Sequence, residues 1–355
     1  MTVELPGVLT RAQIRATAEH IVSLQHSDGL IPWFTGHYGD PWNHVEAAMA
    51  LTAAGLREPA RRAYDWLAGS QSAEGSWPAE TTGAVITSDR RDTNQAAYCA
   101  VGVWHEWLVT RDRAFIDALW PTVRAALDWV VAQQRPDGAV RWAGPADDDA
   151  LLIGSSCIVL SLRCGLALAD VVGESQPDWE LAAAELAHAV LVHPDRFQRE
   201  QEQARHSMHW YYPVLGSAVR GAAGRARLAS RWDEFVVPGR GARCVWDHLW
   251  VTGAETCELA IALDAVGERK RAVALVRDVQ FTRDPGGGYQ TGWVFPEEVF
   301  WPGDLSSWTD GAMILAADVL SDSTPGSGLF RGDGLPPLAQ ITRCDHACLV
   351  ASSGG

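Results

Sequence analysis

Two kinds of helical stretch alternate along the chain. One kind is small and apolar on nearly every side: 45–55, 96–107, 153–169, 214–223, 254–266 and 311–320. A helix without a polar face has no solvent face, so these stretches predict helices buried all round. The other kind pairs one charged face with one apolar face at the helical period: 11–25, 57–67, 112–131, 179–203, 225–232 and 268–279. Such helices bury a stripe and turn the rest to water. Six of each predict an all-α fold, an (α/α)6 toroid of helical hairpins with the buried set as an inner ring. It is expected to occupy residues 1–321 as a single catalytic domain, with 322–355, rich in Gly, Ser and Pro, as an irregular tail.

The connections repeat as well. A helix ends at a Gln, an acidic residue and a Gly follow, and then an aromatic side chain. The copies are Gln25 to Gly29 with Trp33, Gln71 to Gly75 with Trp77, and Gln134 to Gly138 with Trp142; a looser one is Asp284 to Tyr289 with Trp293. Gly accepts the left-handed backbone that stops a helix, so each copy marks a helix end. If every long loop leads from an outer helix to the next inner one, all the aromatic loops gather at one rim. The N-termini of the inner helices then point there, and their free N–H groups and dipoles favour carboxylates and hydroxyls.

Composition narrows the ligand. The 355 residues include 17 Trp against 8 Phe and 6 Tyr. An indole offers a flat apolar face and an N–H donor, which suits stacking on sugar rings, although about half of these are expected merely to pad helix contacts. Lys and Arg total 29 against 44 Asp and Glu, a net charge of −15. That balance repels phosphate backbones and anionic lipid, so neither nucleic acid nor membrane is an expected partner, whereas a neutral oligo- or polysaccharide is. No apolar run approaches the ~20 residues that span a bilayer, and the first residues lack a basic start followed by an apolar core. Seven scattered cysteines read as reduced thiols, and a cytoplasmic location is expected. The run from Cys344 to Cys348 has too few ligands at zinc spacing, so no metal and no other cofactor is expected.

The rim loops carry the candidate chemistry. The first, W-F-T-G-H-Y-G-D-P-W-N-H, brings Trp33, His37, Tyr38 and Trp42 around Asp40, which is equally suited to cap the next helix and to touch substrate. The second ends in Arg91 and Asp92, again a cap or a contact. The third holds Trp142 and the run Asp147-Asp148-Asp149, whose mutual repulsion would raise a pKa if they were held close. The fourth, 206–212, has aromatics but no acid. The fifth sets Asp247 and His248 between Trp246 and Trp250 and puts Glu255 in the first turn of a helix otherwise apolar all round. A lone carboxyl there is costly unless it is paired, with Arg220 for example, or used. The sixth holds Glu297, Glu298 and Asp304 among Trp293, Trp301 and Trp308. Glycosidases use one carboxyl to protonate the leaving oxygen and a second to activate water or attack, and neighbouring indoles keep the acid protonated near neutrality.

On these segments the chain resembles the glucoamylase-like α/α-toroid glycoside hydrolases, over roughly residues 10–320. G-H-Y-G-D-P-W-N-H-V-E-A-A-M-A-L-T-A-A-G resembles the segment where these enzymes hold the sugar at the cleavage point with an Asp, which implies that role for Asp40. The stretch from Asp92, D-T-N-Q-A-A-Y, resembles their next hairpin. P-E-E-V-F-W-P-G-D-L-S-S-W-T-D-G-A resembles the segment bearing the catalytic base, which implies Glu297 or Glu298. The family's general acid, a Glu beside a Trp at the start of the third inner helix, has no counterpart in A-D-D-D-A-L-L-I-G-S-S, and Glu255 is taken in its place. The chain also resembles the hydrolases of methylmannose polysaccharide, an α-1,4-linked polymer. The resemblance implies an endo-acting, inverting enzyme, with Asp40 and Glu255 as the leading catalytic pair and Asp149 and Glu298 in reserve. Substrate contacts are expected from Trp33, His37, Tyr38, Trp42, Arg91, Asp92, Trp142, Trp246, Asp247, His248, Trp250, Trp293, Glu297 and Trp301.

Two other classes share features with the chain. Terpene cyclases and prenyltransferases use the same toroid and Q-x-x-x-G-x-W turns like Gln71 to Trp77, but the D-x-D-D acid motif fails at Ala146 and no D-D-x-x-D pattern is found. A non-catalytic sugar-binding module would need the tryptophans but not acids in at least four loops.

Overall fold

Caps written in the sequence set the helix starts in this computed structural model, which describes residues 3–144, 148–197, 204–339 and 341. Helix α1 (Arg11–Leu24) opens on a capping box between Thr10 and Gln13. Asp40 caps α2 (Pro41–Ala53), which is followed by α3 (Arg57–Ser70) and a hairpin of β1 (Pro78–Thr82) and β2 (Val85–Arg91). Asp92 caps α4 (Thr93–Ala97), which runs on through Tyr98 into α5 (Cys99–Thr110), and Asp112 caps α6 (Arg113–Val131). Next come α7 (Leu152–Val172), α8 (Pro177–Val192), α9 (Ser207–Leu215), α10 (Gly221–Ser230) and α11 (Trp232–Phe235). The last part interleaves β3 (Val236–Val237), β4 (Gly241–Arg243) and β5 (Trp250–Thr252) with α12 (Gly253–Ala265) and α13 (Arg269–Asp278). It ends with β6 (Gly292–Val294), β7 (Val299–Phe300) and α14 (Ser307–Ser321).

The helices predicted to be buried are buried, and they close on themselves. Among the described residues α2, α5, α7, α9, α12 and α14 each pack against the next, and α14 packs back on α2. Every residue of α2 is buried, as are all but the last of α12 and of α14. The charged-face helices lie outside: α1 on α14, α3 on α2, α6 on α5, α8 on α7, α10 on α9 and α13 on α12.

The sequence repeat is a clasp between outer helices. Gln25 Nε2 donates to its own turn at Gly29 O (3.0 Å) and to Pro59 O on α3 (2.9 Å). Gln71 does the same to Gly75 O and Thr122 O on α6, both at 2.9 Å, and Gln134 to Gly138 O and Ala182 O on α8, both at 3.0 Å. In the looser copy Gly287 O accepts from Thr17 on α1 at 2.7 Å, which carries the series round to the first helix. Gly75 has φ +103°, and a Cβ there would stand 2.2 Å from the Ala125 carbonyl oxygen of α6. Gly75→Ala is therefore expected to cost about 2 kcal/mol or more of unfolding free energy, measured by denaturant titration.

Several expectations need correction. The fourth buried helix is 207–215, not 214–223: it ends at Gly216, followed by Ser217 at φ +67°. The Gly216 backbone passes so close to α7 that a Cβ there would stand 2.0 Å from the Ser156 carbonyl oxygen. His209, Trp210, Tyr211 and Tyr212, expected in a loop, are on that helix and buried, Trp210 against Trp232 and Phe235 and the two tyrosines against Glu258 of α12. The outer helix expected over 179–203 stops at Val192, two residues before Pro194. Helix α7 has 21 residues and is apolar enough to cross a bilayer, contrary to the reading of no such run, but it is largely buried in the core as a ring helix. The segment after α14 is held to the body: Leu329 and Phe330 are buried, and Arg331 pairs with Asp264 at 2.8 Å and Asp322 at 2.7 Å. Asp147 and the run from Cys344 to Cys348 lie outside the described residues.

Candidate active site

The rim where the ring helices begin is tied together by backbone hydrogen bonds from four helix starts to neighbouring loops. Ser307 N donates to Trp33 O (2.7 Å), Thr93 N to Trp142 O (2.9 Å), Ser207 N to Cys244 O (2.8 Å) and Gly253 N to Thr291 O (3.0 Å). Gly39 and Thr81 join the first two loops. The aromatic loops and the N-termini of the buried helices therefore share one end of the molecule, and the candidate carboxylates with them.

Asp40 is the most thoroughly held of these. Its Oδ1 accepts from the backbone N–H groups of Trp42 and Asn43, both at 3.0 Å, and its Oδ2 from Trp33 Nε1 (2.6 Å) and Asn43 Nδ2 (2.5 Å). Burial pushes its pKa up and the four donors oppose that. Asp92 repeats the arrangement one helix on. It caps α4 through the Asn94 and Gln95 N–H groups (2.9 and 3.1 Å) and accepts from Trp142 Nε1 at 2.5 Å. Both line a cleft of about 260 Å³ together with Trp33, Tyr38, Trp42, Asn43, Glu80, Arg90, Gln95, Tyr212 and Trp308. Trp42 Nε1, Asn43 Oδ1, Asn94 Oδ1 and Gln95 Oε1 are buried there without a partner. Unpaired buried groups of both polarities are what a hydroxylated ligand would satisfy.

Glu255, in the first turn of α12, does not itself line the cleft; it lies near Glu258, whose partners Tyr212 and Trp308 do. It is buried, one of its oxygens has no partner, and burial pushes its pKa up while the Cys244 thiol and its own backbone N–H pull it down. Three residues on, Glu258 accepts from Tyr211 OH (2.5 Å), Tyr212 OH (3.1 Å) and Trp308 Nε1 (3.2 Å). Trp308 in turn packs 5.6 Å from Trp33, the indole that donates to Asp40. A continuous series of touching groups thus joins Asp40 to the Glu255 face of α12. Glu46 of α2 is pushed up by burial and by the charge of Glu258, and Glu258 by burial and by the charge of Glu255, so these carboxyls retain protons that isolated ones would lose.

Cys244 and His206, which both interact with Glu255, line a second cavity of about 810 Å³, which Glu255 itself does not line. It lies against a five-stranded antiparallel sheet in the order β3-β4-β5-β6-β7. Asp247, His248, Trp250, Glu297 and Trp301 of the expected contacts line this cavity; Trp33, Tyr38, Trp42 and Asp92 line the cleft.

The remaining expected residues are placed differently. Arg91 turns to Asp89 (2.9 Å) and Glu74 (3.6 Å), and its neighbour Arg90 lines the cleft, 4.4 Å over the Trp142 ring. Successive strand residues face opposite ways, so a one-residue error reverses the assignment. His37 packs on Phe34 and Tyr38 outside both cavity linings. Trp293 packs edge-on against Phe281 and Phe300, and Trp246 is exposed beyond the second cavity. Of the reserve pair, Glu298 sits exposed at φ +52° on the turn between β6 and β7, and Asp149 lines neither cavity. Glu46, Glu80, Arg90 and Glu258 were missed. Glu258 carried a readable signal, since a second Glu three residues from Glu255 on an apolar helix must share its face.

Solved glycoside hydrolases share this fold. A solved glycosidase in complex with glucose superposes with a TM-score of 0.67 at 15% identity, over 87% of this chain and 97% of that one. A mannosylglycerate hydrolase from Thermus thermophilus gives 0.63 at 13% identity, over 86% and 99%. A rhamnosidase from Klebsiella oxytoca gives 0.63 at 15%, over 90% and 66%. No family model matches the chain. The MMP endo-(1,4)-3-O-methyl-alpha-D-mannosidase of Mycolicibacterium hassiacum is 50% identical over 335 residues, 94% of this chain and 92% of that protein. The chain belongs to that endo-mannosidase family and is a glycoside hydrolase; the isoprenoid reading falls away.

Proposed function

We propose that this protein cleaves internal bonds of an α-1,4-linked 3-O-methylmannose polysaccharide, on an (α/α)6 toroid whose inner ring is the cycle of six buried helices. The observation that carries the substrate is the half-identity to the endo-mannosidase over nearly the whole length of both chains. In this reading Glu255 protonates the departing oxygen. Like Glu46 it is a buried carboxyl with an unused oxygen, desolvation favours its protonated form, and unlike Glu46 it stands in the first turn of its helix, at the rim. Asp40 is the ionised partner. Four donors converge on it, and a carboxylate so supplied faces the positive charge that develops on the sugar ring and orients the attacking water. A cytoplasmic site of action fits the five described cysteines, which are all free.

The reading is tested by incubating the protein with O-methylated α-mannan, unmethylated α-mannan and α-glucan, with products weighed by mass spectrometry. Large methylated fragments appearing first support it; glucose or single sugars released from chain ends contradict it. A second expectation concerns pH. If Glu255 acts as the acid, activity falls as pH rises through its pKa. The Cys244 thiol stabilises the charged form, so Cys244→Ala should raise that pKa and move the alkaline limb of kcat/KM upward. An unmoved or lowered limb would remove Glu255 from that role.

A further inference from the structure

The second cavity is larger than the Asp40 cleft, about 810 Å³ against about 260 Å³, and its walls are mostly hydrocarbon: Leu249, Trp250, Val294, Pro296, Val299 and Trp301. Trp250 and Trp301 meet edge to face at 4.9 Å and make an apolar corner. Of the charged groups in its lining, Arg205, Asp247 and His248 are grouped together, and Glu297 stands on the exposed turn after Pro296. Arg205 pairs with Asp247 at 3.1 Å, and His248 Nδ1 lies 3.2 Å from the same carboxylate. Among the described residues nine large apolar side chains are exposed, and five belong to this loop and hairpin. They are Trp246 (49%), Leu249 (45%), Val299 (46%), Phe300 (37%) and Trp301 (54%).

A fully hydroxylated sugar fits such walls badly, because each O–H turned towards hydrocarbon loses its acceptor. An O-methyl group has exchanged that donor for a carbon that needs only apolar contact. Two of its lining residues, Cys244 and His206, interact with Glu255, which sets the cavity beside the proposed acid. A sugar chain crossing Glu255 from the Asp40 cleft would run onto these walls. We infer that the second cavity is a subsite for O-methylated sugar units on one side of the cleavage point, with Leu249, Val299 and Trp301 receiving the methyl groups. The inference rests on the polysaccharide-hydrolase reading above and adds what selects the substrate.

The test uses Glu255→Gln protein, so that ligands stay intact, and calorimetric titration with short α-1,4-oligomannosides carrying or lacking 3-O-methyl groups. The methylated ligand should bind at least about tenfold more tightly, as methyl-sized differences in apolar pockets do. Adding Leu249→Ser and Trp301→Ser should abolish that preference, mainly by weakening the methylated ligand. Equal affinities in the parent protein, or equal losses for both ligands, would overturn the inference. So would a preference that survives the substitutions while sedimentation shows a changed oligomeric state, which would make the patch a contact between copies of the chain. Hydrolysis of the methylated polysaccharide by the unaltered protein is measured alongside. Its absence defeats the functional reading itself, whereas hydrolysis with equal affinities defeats the subsite alone.

Discussion

Glu255→Gln is expected to lower kcat by at least ~10²-fold, because the amide keeps the shape of the side chain but has no proton to give to the departing oxygen. The loss should shrink on a substrate with an activated aryl leaving group, which departs without help. Stability should not suffer. The carboxyl is buried, has one oxygen without a partner, and its charged form is disfavoured by desolvation. A neutral amide in its place removes that penalty, so thermal unfolding should occur at the same or a higher temperature. Cleavage at the normal rate would show that Glu255 is not the acid. A large fall in unfolding temperature would show that the loss of rate came from damage to the fold.

The second large effect is at Asp40, where a cap and a reacting group share one side chain. Asp40→Ala strips acceptors from Trp33, from both Asn43 groups and from the Trp42 N–H. Losing the cap alone costs about 1 kcal/mol, and the buried donors left behind add about 1–3 kcal/mol each at most. Asp40→Asn separates the two functions. It retains one acceptor oxygen for the two N–H groups of α2, so most of the stability should remain. It has no charge to set against the cationic sugar, so kcat/KM should still fall by at least ~10²-fold. Denaturation and kinetics of the two variants, measured together, decide the matter. An active, stable Asp40→Asn protein would reduce Asp40 to a cap.

The parts of this molecule that were legible in the sequence are those where one local rule decides the outcome. Helices α2, α12 and α14 are apolar on every side, and burial on every side is the only stable result. The Gln-to-Gly turns were legible as helix ends. Their second function was not, because the Pro59, Thr122 and Ala182 carbonyls that Gln25, Gln71 and Gln134 reach lie 34, 51 and 48 residues away. Asp40 and Asp92 were read as caps or contacts, and they are caps that also line the cleft. The failures have equally specific causes. Trp210, Tyr211 and Tyr212 looked like a loop, yet they are buried on α9. Trp210 packs on Trp232 and Phe235, Tyr211 and Tyr212 donate to Glu258, and of the three only Tyr212 lines the cleft. Arg90 and Arg91 differ by one strand position and so by the face they serve. The acids at 297 and 298 followed a family pattern and lie on an exposed hairpin turn, where Glu297 lines the second cavity and Glu298 lines neither.

The account stands on the idea that the Asp40 cleft and the Glu255 face serve a single glycosidic bond. A crystal structure of the Glu255→Gln protein with an uncleaved 3-O-methylated α-1,4-oligomannoside tests this most directly. The oligosaccharide should cross from the cleft to the second cavity, with a glycosidic oxygen about 3 Å from the side chain at 255, within hydrogen-bond reach, and Asp40 on the sugar that bond joins. A ligand that contacts Asp40 while position 255 faces packed protein, or that binds at the far ends of the ring helices, would contradict it.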